Sequence, residues 1–135
     1  MAGLVLENKV ESLRSCVARI QLKCPADADA LSADIDAQDI VVLNLSRAVQ
    51  LCVDMAMHHI AQQERPTPQT MGDAFSELAR MGTIDEALCT RMLSAVGFRN
   101  LAVHNYDAIN WAIVFAIASE HLEDFRAFAK AMLAA

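Results

Sequence analysis

The sequence has few of the residues that build sheets, tight turns and metal sites. Its 135 residues include four glycines, three prolines and 5% aromatics, too few turn residues for a many-stranded β protein. Ala, Leu and Met outnumber the β-branched residues, which favours helix. The cysteines form no C-x-x-C pair, so zinc and thioredoxin-like sites are poorly supported. These are Cys16, Cys24, Cys52 and Cys89; they are expected to be reduced, in the cytoplasm.

The chain also lacks excess positive charge and long uncharged apolar runs. Its net charge of −6 opposes binding of a polyanion by bulk charge, so any RNA contact needs a local basic pocket. We expect no membrane span and no secretory signal, because Leu6 is followed at once by Glu7 and Lys9. The acidic run is expected to be a solvated loop and helix start, with a surface for a basic partner as the alternative. It comprises Asp27, Asp29, Asp34, Asp36 and Asp39.

Apolar spacing predicts one all-α domain over residues 1–135, an up-and-down antiparallel bundle of four longer helices and one short helix. The first helix ends at Pro25, and an acidic connection leads to a second helix over residues 33–64. Thr70-x-x-Asp73, which resembles a capping box with a shorter acid, and the capping box Thr83-x-x-Glu86 predict the starts of the short and fourth helices. Gly82 fits the end of the short helix, and Asp107 is a candidate N-cap for the last.

The second helix is apolar nearly all round, which predicts a central helix or a subunit interface. Arg47 and Asp54 lie seven residues apart on one face, and His58 follows Asp54 by four. These side chains form either a polar seam near a site or an intrahelical network at a wet edge. Metal binding by Asp54 and His58 is weakly supported, and we expect no metal and no cofactor.

The segment from Gly97 to Tyr106 combines three reactive groups within apolar sequence. Arg99 offers a planar cation that matches a phosphate, and His104 can transfer a proton near neutral pH. Residues five apart on a helix are rotated by about 140°. The pair therefore needs either a helix that loosens near Asn105 or a site shared between two subunits. The structural alternative is a helix-capping His104 and a surface ion pair at Arg99.

The order of several motifs resembles the HepT family of HEPN-domain toxins over roughly residues 35–132. The first is Arg47-Ala48-Val49 with the later Asp54, and the second is the proline break Arg65-Pro66-Thr67-Pro68. A glycine turn around Gly82 follows, and then the block Gly-Phe-Arg-Asn-x-x-x-His-x-Tyr from Gly97 to Tyr106.

The resemblance implies a dimeric, metal-independent endoribonuclease, the toxin of a type VII-like toxin–antitoxin pair. Its partners would be RNA (tRNA or mRNA) and an MntA-like nucleotidyltransferase antitoxin that transfers AMP to Tyr106. Arg99 and His104 would be catalytic; Asn100, Arg47 and Asp54 would support them. The alternative function is a non-catalytic HEPN module that docks on a nucleotidyltransferase.

Overall fold

The computed structural model describes residues 2–135 as a bundle of seven α-helices, with no β-strand in that range. A 3₁₀ turn at Tyr106–Ala108 follows the fifth helix. The helices are α1 (Ala2–Lys23), α2 (Ala28–Ser32), α3 (Ile35–Gln62), α4 (Met71–Arg80), α5 (Glu86–His104), α6 (Trp111–Glu120) and α7 (Leu122–Ala134). The all-α prediction is confirmed.

The centre of the bundle is α3, which packs against α1, α2, α4, α5 and α7. Its buried side chains include Val41, Leu45, Val49 and Ile60. Within residues 2–135, α3 is the one helix long and apolar enough to cross a membrane, but 56% of its most apolar window is buried against the other helices. Its apolar circumference is therefore that of a core helix.

Several predicted helix ends are confirmed. The first helix ends at Lys23, before Pro25. Thr70 caps α4, because its hydroxyl accepts a hydrogen bond from the backbone N–H of Asp73 at 3.0 Å. Gly82 has a φ of +78°, a left-handed conformation that glycine adopts without strain.

The acidic connection differs from the prediction, because it contains the short helix α2. Asp27 and Asp34 cap α2 and α3, accepting hydrogen bonds from Ala30 N–H at 2.8 Å and Ala37 N–H at 3.0 Å. Part of the acidic run therefore starts helices, as its solvated interpretation predicted.

Two predicted N-caps were wrong, and the last helix is broken. The fourth helix is capped by Asp85, whose carboxylate accepts from Leu88 N–H at 2.7 Å, and not by Thr83. Asp107 lies inside the 3₁₀ turn, and Asn110 caps α6 instead. His121 leaves helical geometry at φ −118° and ψ 9°, which separates α6 from α7. Apolar spacing continues through His121, so periodicity did not predict the break.

Replacing the N-cap of α6 tests this assignment. We expect Asn110→Ala to lower the free energy of unfolding by about 1 kcal/mol, because two backbone N–H groups lose their acceptor. Asp107→Ala is the matched control and should change it by under about 0.5 kcal/mol. Urea denaturation measures both; a larger loss for Asp107→Ala contradicts the assignment.

Candidate active site

Arg99 lies half-buried on α5 and contacts neutral oxygens. Its guanidinium donates to Gln50 Oε1 at 3.5 Å and to Asn100 Oδ1 at 3.4 Å. Gln50 in turn donates to Asp54 Oδ1 at 3.0 Å, and Asp54 forms an ion pair with Lys9 at 3.6 Å. Because Lys9 balances the charge of Asp54, the positive charge of Arg99 remains available to an incoming phosphate.

His104 is the last residue of α5, and its side chain is exposed. The helix is regular from Arg99 to His104, so the two Cα atoms are rotated by about 140° and separated by about 7.5 Å along the axis. The helix leaves regular geometry only at Asn105, at φ −150° and ψ 62°. The predicted loosening therefore comes after His104 and does not bring the pair onto one face of the protomer.

Tyr106 begins the 3₁₀ turn and is held by two contacts. Its hydroxyl donates a hydrogen bond to Asp39 Oδ1 on α3 at 3.0 Å. Its ring meets Trp111 edge-on, with the centroids 5.9 Å apart. Partial burial, and then the hydrogen bond and charge of Asp39, raise the pKa of Tyr106 to about 12. The phenol is therefore neutral at physiological pH, and 38% of the residue remains exposed.

One face of α5 borders an apolar groove of about 460 Å³ between α3, α5, α6 and α7. Gly97, Leu101 and His104 follow at spacings of four and three, so they share this face. A Cβ atom added at Gly97 would have no neighbour within 4 Å. No other backbone therefore approaches Gly97 closely within the described protomer. Ile113 on α6, also at the groove, is 57% exposed.

The predicted polar seam on α3 is divided by the structure. Asp54 joins the hydrogen-bonded chain to Arg99, and Arg47 lines a groove between α1 and α3 together with two members of that chain, Gln50 and Asp54. His58 lies in another pocket, where its Nε2 is buried with no hydrogen-bond partner among the described residues. His58 is therefore not part of the Arg99 site.

Two contact residues were missed from the sequence. Gln50, 49 positions before Arg99, holds its guanidinium, and Asp39, 67 positions before Tyr106, holds its hydroxyl. No local motif connects residues so distant. The position of Gln50 between Arg47 and Asp54 was the one feature of the sequence that could have indicated its place in the site.

Comparisons with known proteins identify the family of the chain. Residues 13–132 match the ribonuclease HepT-like family. The mRNA nuclease HepT of Shewanella oneidensis is 37% identical over 124 residues, which cover 92% of each chain.

Solved structures show the same fold. The chain is 35% identical to a protein in a crystal structure of a toxin–antitoxin complex with AMP-PNP, with a TM-score of 0.91. It is 36% identical, with a TM-score of 0.91, to the tri-AMPylated Shewanella oneidensis HEPN toxin in complex with MNT antitoxin. Each match covers 97% of this chain and 98% of the other. The chain therefore belongs to the ribonuclease HepT-like family, and the predicted toxin family and enzyme class, endoribonuclease, are confirmed.

Proposed function

We propose that this chain is the toxin of a toxin–antitoxin pair and cleaves RNA without a metal, through Arg99 and His104. The observation that carries the proposal is a half-buried guanidinium that contacts only neutral oxygens, on the same short helix segment as an exposed imidazole. A cation without a carboxylate partner is suited to a phosphate. The relative from Shewanella oneidensis is named an mRNA nuclease, so messenger RNA in the cytoplasm is the first substrate to test, and transfer RNA the second.

The residue types fit cleavage by the RNA's own 2′-hydroxyl. His104 removes the proton of that hydroxyl as its oxygen attacks the adjacent phosphorus, or protonates the leaving 5′-oxygen. Arg99 stabilises the negative charge that develops on the phosphate oxygens, and Asn100, within 3.4 Å of Arg99, orients that guanidinium. The products are a 2′,3′-cyclic phosphate and a free 5′-hydroxyl.

We propose that the active site forms across a homodimer. The regular helix between Arg99 and His104 places them on different sides of α5. His104 shares a face with Gly97 and Leu101 at the apolar groove, where Ile113 is also exposed. A second copy that packs against α5, with the His104 side of each subunit meeting the Arg99 side of the other, would cover apolar surface and bring its own His104 toward Arg99. The apolar character of α3 does not support the dimer, because its own bundle buries α3.

We propose that an MntA-like nucleotidyltransferase antitoxin neutralises the toxin by modifying Tyr106. One similar toxin is AMPylated and bound to an MNT antitoxin, and another complex contains AMP-PNP. The phenol oxygen of Tyr106 bonds to the α-phosphorus of a nucleoside triphosphate held by the antitoxin, and pyrophosphate leaves. Asp39, 3.0 Å away, accepts the phenol proton. The added AMP brings negative charge and bulk close to the RNA phosphate site.

Removing either catalytic group should abolish RNA cleavage. We expect Arg99→Ala and His104→Ala each to reduce cleavage of a messenger RNA by at least about 10²-fold, and to relieve growth arrest on expression. Cleavage by the unsubstituted protein should persist in EDTA. Gel analysis of RNA ends measures the rates and the cyclic phosphate.

Arg126→Ala is the control, since Arg126 pairs with Glu123 on α7, and it should leave cleavage unchanged. Strict metal dependence contradicts the mechanism. Unsubstituted protein that is harmless and leaves RNA intact supports the non-catalytic docking module instead.

Modification of Tyr106 should be visible in the intact mass. Co-expression with the cognate nucleotidyltransferase should add AMP-sized increments, and Tyr106→Phe should remove them. Asp39→Asn should slow the modification by about 10²-fold. In Asp39→Asn, the rate of modification should rise from about pH 7 to 9, because without the carboxylate the phenolate must form before attack. The rate for the wild type should change little over this range, since its carboxylate already accepts the proton.

Asp36→Asn is the matched control, an exposed carboxylate in the first turn of the same helix. It should be modified at the wild-type rate. Equal rates for Asp39→Asn and wild type at every pH refute the proton-acceptor role, and increments that persist in Tyr106→Phe refute the modification site.

A further inference from the structure

The arginines of this chain divide into two groups by their partners. Five of the eight form ion pairs with carboxylates: Arg14 with Glu11, Arg65 and Arg80 with Glu77, Arg91 with Asp124, and Arg126 with Glu123. Within the described residues, Arg19, Arg47 and Arg99 have no carboxylate partner. In a chain of net charge −6, these three are the arginines whose charge is not neutralised by direct pairing.

The three arginines without carboxylate partners lie together. Arg19 and Arg47 line the groove of about 470 Å³ between α1 and α3, and both are exposed. Gln50 lines the same groove and accepts the hydrogen bond of Arg99. Ser12, Ser15 and Arg19 follow one another at helical spacing along α1. The groove is thus continuous with the contacts of the proposed catalytic cation.

We propose that the α1–α3 groove binds the sugar–phosphate backbone of single-stranded RNA, with Arg19 and Arg47 contacting phosphates of the strand to be cleaved. This inference rests on the proposed ribonuclease function and extends it by a substrate-binding surface. Arginine contacts to phosphate supply much of the affinity of nucleic-acid complexes. They would give this acidic protein the local basic pocket that RNA binding requires.

The lining of the groove indicates what part of the RNA is bound. Its nine residues include hydroxyl and amide side chains but no aromatic ring on which a base could stack. Serine hydroxyls and amides are suited to phosphate oxygens and to the 2′-hydroxyl. The groove therefore contacts the sugar–phosphate backbone and makes no specific contacts to the bases, so the binding it provides is independent of RNA sequence.

The charged side chains define which part of the groove is positive. At one end, the Lys9–Asp54 ion pair neutralises the surface. Along α3 from Asp54, the chain presents Gln50 with its bound Arg99 and then Arg47. The positive stretch thus runs from the Arg99 contact along α3 to Arg47 and, on α1, to Arg19.

The test is the salt dependence of RNA binding by the cleavage-deficient His104→Ala protein. A labelled short single-stranded RNA of mixed sequence is titrated at several KCl concentrations and followed by fluorescence anisotropy. Adding Arg19→Gln or Arg47→Gln should weaken binding and lower the slope of log K against log salt by about 0.7 each. With His104 intact, Arg19→Gln should raise KM for cleavage and leave kcat unchanged. Arg19→Lys should restore most of the slope, since it keeps the charge.

Arg14→Gln is the matched control, because Arg14 also lies on α1 but pairs with Glu11 and lines a different pocket. It should bind with the slope of the His104→Ala parent. If Arg19→Gln and Arg47→Gln keep that slope while wild type cleaves RNA, the groove is not the binding surface and the ribonuclease proposal stands. An equal loss in Arg14→Gln also overturns the inference. If wild type neither binds nor cleaves RNA, both proposals fail.

Discussion

An unbroken α-helix separates residues five apart by about 140°, and this constraint governs how the site can be built. Arg99 turns toward α3, where Gln50 accepts its hydrogen bond. His104 ends the same helix on the face that carries Gly97 and Leu101. A single protomer thus presents one half of the proposed chemistry on each side of α5. A two-fold axis that sets the His104 side of each subunit against the Arg99 side of the other would supply the missing half twice, once for each cleft.

The distribution of charge complements this geometry. Most arginines are paired on the surface with carboxylates, where exposed ion pairs contribute little to stability. The unpaired ones gather around the α1–α3 groove and α5. Tyr106 lies two residues after His104, and a carboxylate holds its hydroxyl. One short segment therefore contains the proposed catalytic imidazole and the proposed site of inhibition, so that a phosphate placed on Tyr106 would lie close to the RNA phosphate.

Much of the fold could be predicted from local sequence. Apolar spacing located the long helices, and Thr70 and Gly82 marked the ends of α4 because capping and left-handed geometry depend on nearby residues. Two predicted N-caps were wrong where another capping residue lay nearby: α5 is capped by Asp85 and not by Thr83, and α6 is capped by Asn110 and not by Asp107. The contacts Gln50–Arg99 and Asp39–Tyr106 could not be predicted, because they are formed by the packing of helices and are not marked by any local motif. The spacing of Arg47, Asp54 and His58 predicted one shared helix face. The packing of the other helices places His58 in a different pocket from Arg47 and Asp54, which spacing alone could not show.

Complementation between two inactive variants tests the shared site most directly. Arg99→Ala and His104→Ala chains, co-expressed in equal amounts and purified together, assemble at random into dimers of which half are mixed. A mixed dimer regains one intact cleft if each cleft combines Arg99 of one subunit with His104 of the other. RNA cleavage should then return to about a quarter of the wild-type rate per chain. No recovery, with mixed dimers demonstrated by their two affinity tags, contradicts a site assembled across the two-fold axis.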